Sequence, residues 1–129
     1  MIAIDTNVII RLLTRDDKKQ YNSSLKLFKE ERIFVPDTVI LESEWVLRFA
    51  YDFKPQEVCA AFRKLFGLPN VHLTHELLVA QAIDWHEEGL DFADSFHLAL
   101  CQDIPTLKTF DEKFIKNSKG LSKCTAEKP

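Results

Sequence analysis

The sequence predicts an α/β protein with a central parallel sheet. Four short runs rich in β-branched and aromatic residues alternate with segments long enough for helices, and this alternation favours parallel strands joined by helical crossovers. Proline and glycine fall between the predicted elements or at their ends. The chain has 129 residues, 46% hydrophobic and 29% charged, which is typical of a globular protein. We therefore expect a single domain over residues 1–129.

The elements can be assigned in chain order from the period of their apolar residues. The predicted strands, which are short and apolar, are Ile2–Asp5, Ile33–Pro36, Val71–Thr74 and Pro105–Thr109. The predicted helices, which have longer periodic patterns, are Asn7–Leu13, Asp16–Glu31, Asp37–Tyr51, Pro55–Phe66, His75–Glu88, Asp91–Asp103 and Asp111–Asn117. Residues 121–129 follow neither pattern, so a flexible tail is expected there.

Charge and cysteine content narrow the class of protein. The formal net charge is -3, so global charge gives no argument for a nucleic-acid partner. Three widely spaced cysteines without a CxxC pair indicate reduced thiols rather than a zinc site or a disulfide. No apolar run approaches the roughly 20 residues that span a bilayer, and the first residues do not resemble a secretory leader. A cytoplasmic protein without a membrane partner is the expectation.

Acidic side chains close or follow two of the predicted strands, at the edge where α/β sheets bind ligands. Asp5 closes the first predicted strand and Asp111 follows the fourth, and ligands of such sheets bind at the carboxyl ends of the strands. Asp94 lies on an almost wholly apolar helix, three residues after Asp91. Asp5, Asp91 and Asp111 could instead cap a helix, and for Asp91 capping is the simpler interpretation. Asp94 could be only an acid in the first turn, where it favours the helix dipole.

A fourth acid comes from the helix predicted at residues 37–51. At 100° per residue Glu42 projects between Val46 and Phe49, within the apolar arc, whereas Glu44 faces the other way with Arg48 four residues on. An exposed pair of this spacing explains Glu44. A carboxylate on a buried face has to be neutralised, hydrogen-bonded or bound to a metal, so Glu42 is a candidate ligand.

Carboxylates that converge need a counter-ion. Two like charges 4 Å apart repel by about 4 kcal/mol at an effective dielectric of 20, so a pocket of several ionised carboxylates needs a cation or raised pKa values. Mg²⁺ and Mn²⁺ prefer oxygen ligands. One or two such ions could activate water and stabilise the leaving oxygen of a phosphodiester.

Four stretches of the chain, in this order and spacing, resemble the PIN domain nucleases and, among them, the VapC-type toxins. They are Ile2–Asn7, Val39–Arg48, Asp91–Ala99 and Leu107–Asp111. The resemblance covers nearly the whole chain and implies a Rossmann-like three-layer α/β/α sandwich. It also implies an Mg²⁺- or Mn²⁺-dependent endoribonuclease that acts on RNA, a cognate antitoxin as partner, and a homodimer.

The resemblance also assigns roles to individual residues. It implies that the metal is held by Asp5, Glu42, Asp94 and Asp111, with Asp91 as an accessory ligand or only a helix cap. It implies that Thr6 and Thr109 hydrogen-bond to the site. Basic residues near these positions are candidates for RNA phosphate contacts, namely Arg11, Arg15, Lys108 and Lys113.

Two other functions stay open on the sequence alone. The first is a phosphohydrolase that uses Asp5 as a covalent nucleophile. Asn7 stands where the familiar pattern of such enzymes has a second aspartate, which weighs against it. The second is an RNA-binding module with an acidic pocket that has lost catalytic activity.

Overall fold

The computed structural model describes every residue from Met1 to Pro129. The chain divides into two units, Met1–Glu76 and Leu77–Pro129, each with its own packed interior. None of the helices combines the length and the apolar character that a membrane span requires.

The first unit is built on a three-stranded parallel sheet. Its strands are β1 (Ile2–Ala3), β2 (Ile33–Phe34) and β3 (Val71–His72), in the order β1-β2-β3. The register aligns the first residues of the strands with one another, Ile2 with Ile33 and Ile33 with Val71. β-Branched residues suit this pleated and buried surface. The sheet therefore brings the segments that follow its strands to a common edge.

Four helices complete the first unit. They are α1 (Thr6–Thr14), α2 (Lys18–Glu30), α3 (Asp37–Tyr51) and α4 (Pro55–Phe66). Asp5 and Asp17 cap α1 and α2, because their carboxylates accept hydrogen bonds from the backbone amides of Asn7 and Gln20. The residues that follow α1 and α3 as C-caps, Arg15 and Asp52, both adopt the left-handed conformation.

The second unit contains three helices and a two-stranded parallel sheet. Its elements are α5 (Glu76–Glu87), α6 (Phe92–Leu100), β4 (Thr106–Lys108), α7 (Glu112–Ser118) and β5 (Thr125–Glu127). β4 and β5 pair in register from Thr106 with Thr125 to Lys108 with Glu127. Phe92 and Phe96 pack edge to face, with ring centroids 6.2 Å apart, and both are buried.

The predicted α/β class with parallel strands and helical crossovers is confirmed. Helices α3 and α4 have the predicted bounds, and the remaining helices differ by a few residues. The expected flexible tail was wrong for part of residues 121–129, because β5 pairs with β4, and Cys124 and Ala126 are buried. β4 joins this strand rather than the three-stranded sheet. The expectation of a single domain stays a prediction.

Candidate active site

In the first unit, a hydrogen bond joins the segment after β1 to helix α3. Asp5 is exposed and caps α1, with its carboxylate accepting from the amide of Asn7 at 3.2 Å. Thr6 is buried, and its hydroxyl donates to Oε1 of Glu42. The sequence separates these two residues by 36 positions, so the hydrogen bond fixes Glu42 at the carboxyl edge of the sheet. Thr6 thus positions a predicted metal ligand.

The predicted faces of α3 were wrong. Glu42, expected on the buried side, is exposed, and Glu44, expected in solvent, is only 3% exposed. Glu44 accepts two hydrogen bonds from the Arg48 guanidinium, at 2.8 Å from Nε and 3.2 Å from Nη2. The predicted pair of Glu44 and Arg48 therefore exists, but its acidic partner lies in the protein interior.

The faces of α3 were assigned wrongly because the apolar arc that includes Phe49 was expected to face the core. Trp45 and Phe49 are 56% and 63% exposed, and their ring centroids lie 5.0 Å apart on the surface of the helix. The buried face of the helix follows the spacing i, i+3, i+4, i+7 and consists of Ile40, Ser43, Glu44 and Leu47. Because Glu42 is exposed, its candidacy now depends on its contact with Thr6 rather than on burial.

In the second unit, three carboxylates line one cavity of about 350 Å³, which we call the acid pocket. Asp91 caps α6, with its carboxylate accepting from the amide of Asp94 at 3.2 Å. Asp94 lies one turn into the same helix, and Asp111 caps α7. The pocket is lined by Gly89, Leu90, Asp91, Asp94, Asp111, Lys113, Phe114 and Asn117. The structure thus brings together three of the predicted acids.

Among the carboxyl groups of the acid pocket, Asp94 has a clearly shifted pKa. Burial, followed by the nearby carboxylates of Asp91 and Asp111, raises the pKa of Asp94 to about 6, although His97 acts in the opposite direction. Desolvation and like charges both disfavour the ionised form of a carboxyl group. A divalent cation in this pocket would remove the repulsion and favour the carboxylate.

Asp111 is held by the loop that follows β4. Its backbone amide donates to the Thr109 hydroxyl at 3.0 Å, and its carboxylate accepts from the amide of Phe114 at 3.0 Å. The amide of Thr109 donates to the carbonyl of Glu127, at 3.0 Å, so β5 also anchors this loop. Thr109 therefore acts on the backbone beside Asp111, and Asp111 serves as a helix cap while lining the pocket.

The acid pocket fits a hard divalent cation by its donor chemistry. Carboxylate oxygens are the preferred ligands of Mg²⁺ and Mn²⁺. No three or more acidic, histidine or cysteine side chains stand close enough to form a complete cage. Mg²⁺ does not require one, since it keeps several waters and is usually held by one or two carboxylates plus substrate phosphates. Asp94 and Asp111 would hold such an ion, with Asp91 beside them.

The basic residues proposed from the sequence have different surroundings. Arg11 donates to Gln20 at 2.6 Å, to the Asp16 carboxylate at 3.2 Å and to the Tyr51 hydroxyl at 3.1 Å. The hydrogen bond with Tyr51 is the main reason that the pKa of Arg11 is raised. Because its guanidinium is used to tie α1 to α2 and α3, Arg11 is a poor candidate for an RNA contact.

Of the other three basic candidates, Arg15 and Lys108 have partners within the protein, whereas Lys113 lines the acid pocket. The guanidinium of Arg15 lies over the ring of Tyr21, 4.9 Å from its centroid. Lys108 forms an ion pair with Glu127 at 2.9 Å. Lys113 lines the acid pocket. Asn117, which the sequence analysis missed, lines it too, and its spacing of four residues from Lys113 on α7 was the signal available.

Over residues 2–120 the chain matches the PIN domain family, and the match includes residues of both units. The chain belongs to the PIN domain family, whose members are generally metal-dependent nucleases that act on RNA. No characterised protein and no solved structure gives a match. Membership favours a nuclease over the phosphohydrolase that uses Asp5 as nucleophile, and it confirms the predicted PIN-like α/β fold.

Proposed function

We propose that the protein is an endoribonuclease that hydrolyses RNA phosphodiester bonds with Mg²⁺ or Mn²⁺, and that Asp5, Glu42, Asp94 and Asp111 are its metal ligands. The observation that carries this proposal is the acid pocket, in which neighbouring carboxylates and burial raise the pKa of Asp94 to about 6 in a PIN domain chain. Such crowding is unfavourable while all the carboxylates are ionised, and a cation in the pocket would relieve it.

Each residue has a separate task in this proposal. When bound, the divalent ion supplies an activated water and stabilises the leaving oxygen. Asp94 and Asp111 present carboxylate oxygens within the acid pocket. Thr6 holds Glu42 in a fixed orientation through its hydroxyl, and groups that orient ligands in this way commonly contribute 10- to 100-fold in metal affinity or activity. Asp5 lies next to Thr6, at the start of α1.

We further propose that the protein is the toxin of a toxin-antitoxin pair and forms a homodimer. The support is the resemblance of the four motif stretches to VapC-type toxins. The first unit also has exposed apolar area, including Trp45 and Phe49 on α3 and a groove of about 530 Å³ lined by residues such as Leu12, Leu25 and Phe53. Exposed apolar side chains and apolar grooves of this kind are common at protein interfaces.

A cleavage assay on total RNA tests the nuclease. We expect fragments with Mg²⁺ or Mn²⁺, none with excess EDTA, and renewed cleavage when the metal is restored. The matched control is Asp5→Asn protein from the same purification, which should be inactive if Asp5 holds the metal. Cleavage that continues unchanged in EDTA, or that is equal for Asp5→Asn, would contradict the proposal and indicate a contaminating nuclease or a different chemistry.

Expression in bacteria without any partner tests the toxin. We expect induced wild-type protein to arrest growth and Asp5→Asn protein, at equal soluble abundance, to leave growth unaffected, because arrest by a nuclease requires cleavage. Unimpaired growth with abundant soluble wild-type protein would refute the toxin role. That result would leave the nuclease assay untouched, so the two proposals can fail separately.

A further inference from the structure

The acid pocket contains two polar side chains that are not acidic. Lys113 and Asn117 both lie on α7 and line the pocket together with its carboxylates. Residues four apart occupy the same face of a helix, so the ammonium and the amide are neighbours. α7 therefore presents two hydrogen-bond donors to a pocket whose remaining polar side chains are acidic acceptors.

Neither donor is used inside the protein. Lys113 makes no ion pair with Asp91, Asp94 or Asp111, although it lines the same pocket, and the side-chain amide of Asn117 makes no hydrogen bond. By contrast, Lys108 and Lys128 in the same unit are paired with Glu127 and Glu112. Both donors thus remain available for a ligand.

In an RNA nuclease, a pocket of carboxylates repels the phosphates of the substrate. Each phosphate of the substrate carries a negative charge, and uncompensated carboxylates repel it. Bound metal offsets part of that charge at the scissile phosphate, but a neighbouring phosphate needs its own partner. Lysine is a common phosphate ligand that acts as a point charge, and side-chain amides donate to phosphate oxygens as well.

We propose that Lys113 and Asn117 form a phosphate-binding subsite at the acid pocket, which holds an RNA backbone phosphate next to the one that is cleaved. This inference rests on the proposed nuclease function and identifies which part of that site takes the substrate backbone. It also distinguishes Lys113 from Lys108 and Arg11, whose charges are already paired within their own units.

RNA binding without cleavage is the direct test. Asp94→Asn protein, expected to be inactive, serves as the background, and fluorescence anisotropy with a labelled single-stranded RNA oligonucleotide in Mg²⁺ gives the dissociation constant at several salt concentrations. We expect Lys113→Gln to weaken binding about tenfold at low salt, and to reduce the slope of log K against log salt by about 0.7, the value for one phosphate contact on a single strand. Asn117→Ala, which removes a neutral donor, should weaken binding about fivefold without changing the slope.

Matched controls come from helix α2, which carries an exposed lysine and an exposed asparagine outside the acid pocket. Lys29→Gln and Asn22→Ala make the same chemical changes there and should leave affinity and slope unchanged. Lys113 and Asn117 are exposed as well, so all four variants should unfold at the temperature of the parent protein.

The subsite is overturned if Lys113→Gln and Lys29→Gln give the same dissociation constant and slope, or if Asn117→Ala binds as well as Asn22→Ala. Because binding is read without cleavage, this failure is distinguishable from failure of the nuclease. If wild-type protein cleaves RNA and Lys113→Gln binds RNA normally, only the subsite is rejected. If wild-type protein does not cleave RNA but Lys113→Gln binds RNA more weakly, only the nuclease is rejected.

Discussion

Replacing Asp94 by Asn should reduce metal-dependent RNA cleavage by more than about a hundredfold. Changes in groups that merely orient metal ligands already cost about 10- to 100-fold, and Asp94 is proposed to bind the ion itself. The measurement is the initial rate of cleavage of a defined RNA at saturating Mg²⁺, compared between wild type and Asp94→Asn. Asparagine keeps the shape and one oxygen of the side chain, so lost activity reports the lost charge.

Thermal unfolding of the same two proteins shows whether the fold survives. The raised pKa of Asp94 means that its contribution to stability is fully present below about pH 4 and is lost as pH rises through about 6. In Asp94→Asn the side chain at position 94 is uncharged at every pH, so without metal this variant should lose less stability than wild type between pH 4 and pH 8. Added Mg²⁺ should stabilise wild type more than the variant, because a ligand stabilises the state that binds it.

Two outcomes would contradict this account of Asp94. Full activity of a properly folded Asp94→Asn protein would remove Asp94 from the metal site. Equal stabilisation of both proteins by Mg²⁺ would mean that the ion binds elsewhere. His97→Gln offers a useful comparison, because His97 acts on the pKa of Asp94 by its charge alone and is not proposed as a ligand.

Replacing Glu44 by Ala should lower the free energy of unfolding by about 2 kcal/mol, the typical loss for hydrogen bonds to a charged group. Glu44 is almost fully buried and accepts two hydrogen bonds from Arg48, so the substitution removes both of these hydrogen bonds. The Arg48 side chain is 37% exposed, and water will reduce the penalty below the 3–5 kcal/mol typical of fully buried pairs. Urea unfolding followed by circular dichroism measures the difference.

Glu42→Ala on the same helix is the matched control. Its side chain is exposed and its one hydrogen bond comes from Thr6, so unfolding should change by less than about 1 kcal/mol while RNA cleavage is lost. Glu44→Ala should keep cleavage at temperatures where it is folded. If instead Glu42→Ala is the destabilised protein and Glu44→Ala the inactive one, the roles assigned to the two acids are reversed.

Local sequence signals were sufficient for most of the elements. The bounds of α3 and α4 follow from Pro36 and Pro55 near their starts and from the end of the apolar period. β5 could not be found in this way, because the segment that contains it is short and mostly polar and becomes a strand only by pairing with β4. Strand formation of that kind depends on a partner rather than on local propensity.

In the candidate site, too, the features that depend on local sequence were predicted and those that depend on tertiary contacts were not. Asp111 was identified from its position after a strand, and Asp94, three residues after Asp91, from its place on an almost wholly apolar helix. The structure groups these three acids in one pocket. The orientation of α3 was not predictable from hydrophobicity, because Trp45 and Phe49 are apolar yet exposed. Burial of Glu44 depends on two hydrogen bonds from Arg48, which a hydropathy pattern does not register.

The pairing of β5 with the strand before Asp111 makes the geometry of the acid pocket sensitive to the integrity of the chain beyond α7. The carbonyl of Glu127 accepts the amide hydrogen of Thr109, which in turn holds the backbone of Asp111. Proteolytic trimming from position 125 onward would release that loop and leave one strand edge unsatisfied. If the proposed nuclease is correct, the intact and the clipped chain would then differ in RNA cleavage although both keep Asp91, Asp94 and Asp111.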